Sequence, residues 1–146
     1  MEPLDLESRP PRSPREQMLG VYFLPRTIDK IRAELPGGKP GPYIVTGPNS
    51  MSAYVLHKLR IGVEDLRAVV AGAAGEGEVE AWLRERIDPA IVEELNRKLQ
   101  ASSLVGITPE ARAQVESIYP WITQHPEITN AFEMLEADDA AAFQRR

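Results

Sequence analysis

Apolar residues recur at three- and four-residue intervals along most of this chain, and the polar residues between them punctuate helices. Leu24, Ile28, Ile31 and Leu35 fall on one stripe, with Pro25 placed to open a helix and Pro36-Gly37-Gly38 to close it. Met51, Val55 and Leu59 predict a helix capped by Asn49 or Ser50 and running to about Arg60, with Gly62 as its terminator. A short helix over Val63–Ala71 follows and is closed by Gly72. Glu78–Ile87 comes next, with Val79, Trp82, Leu83 and Ile87 on its apolar face.

Asp88-Pro89 and Thr108-Pro109 each place a capping oxygen before a proline that suits the first helical position. Behind them lie the stripes Ile91, Val92, Leu95, Leu99 and Ala111, Val115, Ile118. Pro126 is positioned to open a last helix carrying Ile128, Phe132 and Leu135. Asp138 and Asp139 would sit near its C-terminal end, where the helix dipole disfavours them and fraying is expected. At the other end, Ser13-Pro14-Arg15-Glu16 reads as a capping box for a short helix through Met18 and Leu19 to Gly20. Tyr43–Thr46 and Val21–Leu24 are the two β-prone runs and could pair as a short ribbon.

The fold class is therefore all-α: a predominantly helical single domain over residues 1–146, with about six or seven helices and at most a short two-stranded ribbon. A softer division falls near Asp88, and residues 1–8 and 140–146 are expected to be flexible tails.

Composition narrows the functional classes. With 146 residues and 42% apolar content, the chain can bury a core without disulfides. There is no cysteine, which removes thiolate metal sites and cysteine nucleophiles and fits a cytoplasmic setting. No run approaches the roughly 20 apolar residues of a membrane span, and the acidic N-terminus does not read as a secretory signal. A net charge of −5 argues against a nucleic-acid partner, which calls for a broad basic face.

One segment breaks the acidic pattern. Arg9 to Arg32 holds five arginines and one lysine against Glu16 and Asp29, a local balance of +4. Within it, Arg12, Arg15, Arg26 and Lys30 are the candidate anion site. They fall at two expected helix starts, where cations oppose the dipole unless an anion joins them. The competing account pairs these cations with the chain's own 22 carboxylates. Pro11-x-x-Pro14 also has polyproline-ligand spacing, which the Ser13 cap opposes.

No other motif assigns chemistry. His57 and His125 are isolated, the Glu64-Asp65, Glu93-Glu94 and Asp138-Asp139 pairs point apart on helices, and the glycine-rich stretches lack phosphate-loop spacing. No catalytic residue, metal or cofactor is expected, and the sequence leaves the enzyme class open while leaning away from it.

Arg9-Pro10-Pro11-Arg12-Ser13-Pro14-Arg15 with Leu24-Pro25-Arg26-Thr27-Ile28-Asp29-Lys30-Ile31-Arg32-Ala33 resembles the opening of a small bacterial family, domain of unknown function 5069. Val79–Leu83 and Pro126–Glu136 are similar to its later elements, so the likeness spans about Asp5 to Asp139. It implies a soluble bacterial protein, mostly helical, and assigns no catalytic residue.

Two functions follow as expectations. The first is a cytoplasmic helical protein binding a small anionic ligand, a phosphate or carboxylate, through the arginine cluster. The second is an interaction or homo-oligomerisation module, a homodimer included, in which the same island docks an acidic surface. A third class, an enzyme using Asp29 or His57 beside the arginines, ranks below both.

Overall fold

The computed structural model describes residues 1–47 and 50–144. Among these are seven α-helices, one short 3-10 helix at Pro120–Gln124 and one two-stranded ribbon, so the protein is predominantly helical. It divides into two compact units, Met1–Arg97 and Lys98–Arg146, and the boundary lies inside a helix rather than near Asp88.

The first unit is built around α1 (Leu24–Ala33), which contacts α2 (Met51–Leu59), α3 (Val63–Gly72) and the ribbon strand β1 (Gln17–Met18). Helix α4 (Glu76–Arg84) packs against α3, and α5 (Pro89–Gln100) begins in this unit. A one-sided stripe was the expectation for α1. Instead every residue from Phe23 to Ile31 is buried, and its polar residues go inward with the apolar ones. The core around it includes Leu6, Val21, Phe23, Leu24, Ile28, Val55, Leu56, Leu66, Val79 and Leu83.

Both ends of α1 are set by backbone devices. Phe23 is its N-cap with φ +75°, held there because its N–H donates to the Pro14 carbonyl at 3.1 Å. Past the C-terminus, the chain doubles back through Gly37 and Gly38. A Cβ on Gly38 would lie 2.3 Å from the Ala33 carbonyl oxygen, so only glycine fits. Gly38→Ala should cost about 1–3 kcal/mol, read as a lower urea midpoint at unchanged m-value.

Several local expectations are corrected. Ser13-Pro14-Arg15-Glu16 forms a single turn, not a helix. Ser13 Oγ accepts from the Arg15 N–H at 3.1 Å, and its carbonyl accepts from the Glu16 N–H at 3.1 Å. The chain then enters β1, which pairs with β2 (Val21–Tyr22) in the register Gln17 with Tyr22 and Met18 with Val21. Leu19 and Gly20 both take positive φ, 53° and 77°, the turn geometry that matches ribbon twist. Burial of Met18 and Val21 favours this pairing, and Asn96 of α5 clamps the turn through the Gly20 carbonyl and the Tyr22 N–H. The ribbon partner of Val21–Tyr22 is thus Gln17–Met18. Tyr43–Thr46 is irregular, although Val45 is buried.

The cap of α2 is Ser50, whose Oγ accepts from the Ala53 N–H at 3.2 Å; Asn49 lies outside the described residues. Arg60, at φ +61°, ends α2 in place of Gly62, which instead caps α3. Helix α4 starts at Glu76 and takes Gly77 into its first turn. Trp82 is only half-buried, with the Arg86 guanidinium 4.1 Å from its ring centroid. Asp88 holds the entrance of α5 as expected, accepting from the Ala90 N–H at 2.9 Å.

In the second unit α6 (Pro109–Ile118) is capped by Thr108, whose Oγ1 accepts from the Ala111 N–H. A small core of Leu104, Ile122 and Met134 is packed by Val115, Tyr119, Trp121 and Ile128. Helix α7 (Ala131–Gln144) begins after Asn130, not at Pro126, because the Asn130 Oδ1 takes the Glu133 N–H at 2.9 Å. Asp138 accepts from Trp121 Nε1 at 3.2 Å and Asp139 is buried. The last positions of the expected C-terminal tail, Arg145 and Arg146, lie outside the described residues.

Candidate functional site

The four candidate cations have three different fates. Arg12 leaves the N-terminal segment to clamp α1 and α4. Its backbone N–H donates to Asp29 Oδ2 at 2.8 Å, its Nε reaches both Asp29 oxygens at 3.1 Å, and its Nη2 lies 2.9 Å from Oδ1. The other edge of the fork engages Glu76 at the start of α4, with Nη1 donating to Oε2 at 3.2 Å and Nη2 to Oε1. Burial works against this guanidinium's charge, and the hydrogen bonds to Glu76 and Asp29 more than offset it, so its pKa is raised. For Arg12 the internal carboxylate pairing is realised. Arg15 sits exposed on the Ser13 turn.

Arg26 and Lys30, one helical turn apart on α1, are only 2% and 8% exposed. Both press on the Phe23 ring, the Arg26 Cζ at 5.9 Å and the Lys30 Nζ at 5.6 Å from its centroid. Tyr43, from the loop between α1 and α2, lies over Arg26 as well, at 5.5 Å. The guanidinium is therefore flanked by two rings, which attract it electrostatically. Its Nη1 donates to the Arg12 carbonyl at 3.2 Å, and its buried Nε makes no hydrogen bond.

The Lys30 ammonium points to the first turn of α2, donating to Ser52 Oγ at 3.1 Å. Ser52 is fully buried and lies 3.0 Å from Thr27 Oγ1, which itself donates to the Phe23 carbonyl at 2.9 Å. Lys30 and the two hydroxyls thus meet beside a helix N-terminus, and Arg26 rests on the same Phe23 ring as Lys30. Among the described residues of the first unit, the buried charged side chains are Arg26, Lys30 and Asp29.

Sequence reasoning named the cations and missed Thr27, Ser52, Phe23 and Tyr43. Ser52 carried a usable signal. It shares a helical face with Val55, Leu56 and Leu59, and a hydroxyl on an apolar face must be satisfied inside.

The remaining candidates stay apart from this cluster. His57 is exposed on α2, and His125 pairs with Glu127 in the second unit at 2.8 Å, an exposed contact that lowers the Glu127 pKa. Among the described residues no group of three or more His, Asp or Glu side chains is placed to hold a metal, and no helix is long and apolar enough to cross a membrane. An open groove of about 210 Å³ lies elsewhere in the first unit, lined by Leu19, Arg84, Ile87, Pro89 and Val92.

Fold and cluster together define a helical protein whose central helix carries buried cations. The chain matches the family model described as "Domain of unknown function (DUF5069)" over residues 8–141, nearly its whole length, and it belongs to that family. The match takes in Arg12, Arg26, Lys30 and Ser52. No curated protein matches the chain.

Proposed function

We propose that this protein binds a small oxyanion, a phosphate, a carboxylate or a phosphorylated metabolite, at Arg26 and Lys30. One observation carries the reading: both cations are buried together, and Lys30 is aimed at the N-terminal turn of α2. A cation at that end opposes the helix dipole, and an anion beside it is favoured there. An oxyanion there would meet the Lys30 ammonium and the Ser52 hydroxyl at the start of α2, with Arg26 one helical turn away on α1. Arg12 holds Arg26 through its carbonyl, which accepts from Arg26 Nη1.

Depth favours a ligand over a docking surface, since a partner protein cannot press on side chains this buried. The reading carries no reaction step, and a bacterial cytoplasm is its natural setting.

Thermal-shift titration tests it. At constant ionic strength, phosphate or a phosphorylated metabolite at about 100 times its Kd should raise the Tm by on the order of 5–10 °C over chloride. Arg26→Ala and Lys30→Met should each abolish the rise. Equal melting in every anion, with no difference in either variant, would remove the function.

A further inference from the structure

The groove of about 210 Å³ in the first unit has a composition of its own. Four of its five lining residues are apolar, Leu19, Ile87, Pro89 and Val92, and the fifth is Arg84. Its walls come from separate elements, and hydrogen bonds fix each of them. Leu19 stands on the ribbon turn at φ +53°, and Asn96 holds that turn through the Gly20 carbonyl and the Tyr22 N–H. Ile87 follows α4, its N–H donating to the Leu83 carbonyl at 2.9 Å. Val92 lies in the first turn of α5, its N–H donating to the Asp88 carbonyl at 3.2 Å. The groove is therefore preformed, as small-molecule sites generally are.

Its size and its rim both point to a small ligand. An apolar cavity of about 150 Å³ holds a benzene ring, so this volume suits one ring or a short alkyl chain. The apolar surface does not spread past the rim. Among the described residues, the exposed large apolar side chains are Ile44, Tyr54, Val105 and Ile118, and none of them lines the groove. A protein partner would need a far larger patch.

Arg84 supplies one positive charge. Its side chain is 64% exposed and pairs with Glu80, one helical turn back, at 3.1 Å. An exposed pair of this spacing contributes little, so another carboxylate can take the place of Glu80. Nearby acids are engaged elsewhere, Asp88 with the Ala90 N–H and Glu85 with Arg86.

We propose that this groove is a second ligand site, which takes a small monocarboxylate with an apolar body, an aryl-substituted or short-chain alkanoic acid. The body fills the space between Leu19, Ile87, Pro89 and Val92, and the carboxylate displaces Glu80 from Arg84. The site is separate from the one at Arg26 and Lys30 and does not rest on it.

Calorimetry with 3-phenylpropionate and its amide, at fixed ionic strength, tests the proposal. Wild type should bind the acid about fivefold more tightly than the amide, the difference being the charge-assisted contact with Arg84. Methyl NMR signals of Leu19, Ile87 and Val92 should shift as the acid is added. Arg84→Gln, a change at an exposed position, should remove the preference for the acid, and Glu80→Gln should enlarge it because the competing carboxylate is gone. Excess inorganic phosphate should not displace the acid, which distinguishes this site from the first. The proposal is overturned by an absence of binding, by equal affinity for the acid in wild type and Arg84→Gln, or by binding that leaves those methyl signals in place. A ligand-free dimer whose formation shifts the same signals would assign the groove to a second copy and overturn it as well.

Discussion

Arg12→Ala should be among the most damaging single substitutions in the first unit, lowering its stability by about 3 kcal/mol. The reason is asymmetry. Asp29 is 4% exposed, and its carboxylate accepts from both the side chain and the main chain of Arg12. Without the guanidinium, Asp29 is left charged in a buried position, which costs more than the pair contributes when intact. Glu76 loses the same partner, but it is a third exposed and water replaces much of what it gives up. Urea unfolding should place the deficit in the midpoint. Arg12→Ala combined with Asp29→Asn should recover part of the loss, because the orphaned charge is then gone. A double variant no more stable than Arg12→Ala alone would show that Arg12 acts through packing instead.

Phe23→Ala should cost about 3–5 kcal/mol, the range for deleting a buried aromatic ring. Phe23 is at once a core side chain, the N-cap of α1 at positive φ, and the surface on which Arg26 and Lys30 rest. These roles separate experimentally. Phe23→Gly removes the same ring but relieves the left-handed strain of about 1 kcal/mol, so it should be destabilised less than Phe23→Ala by roughly that amount. Both variants should lose the anion-dependent Tm rise, since the two cations no longer share a support. Equal urea midpoints for the alanine and glycine variants would mean that the backbone at Phe23 relaxes when the ring goes.

Most helices were readable because their signals are local. Asp88 before Pro89 and Thr108 before Pro109 each satisfy N–H groups within three residues, so nothing distant has to be known. Pro25 at the start of α1 is of the same kind. The misreadings occur where the same local signal has two outcomes. Ser13-Pro14 can cap a helix or close a turn, and the choice falls to Met18 and Val21, which reach the core only as a ribbon. Leu19 gives no hint of this, because leucine at φ +53° runs against its own preference and is held there by pairing and by Asn96. Pro126 likewise starts a turn, since Asn130 is the better cap for α7.

The candidate site divides along the same line. Its cations stand out as a +4 segment in a −5 chain, visible to simple counting. Their separate fates are not visible. Arg12 is clamped by Asp29, 17 residues on, and by Glu76, 64 residues on, whereas Arg15 three residues later meets solvent.

Helical class, most helix boundaries and the concentration of positive charge were thus written in short-range pattern: propensity, capping and apolar period act within a turn or two. Burial belongs to the tertiary structure alone. Whether Arg26 and Lys30 face water or the interior depends on the arrival of Tyr43 and of the α2 N-terminus with Ser52, groups more than a dozen residues away in sequence. A charge costs almost nothing in water and several kcal/mol inside, so that arrival turns an ordinary run of basic residues into a buried cluster.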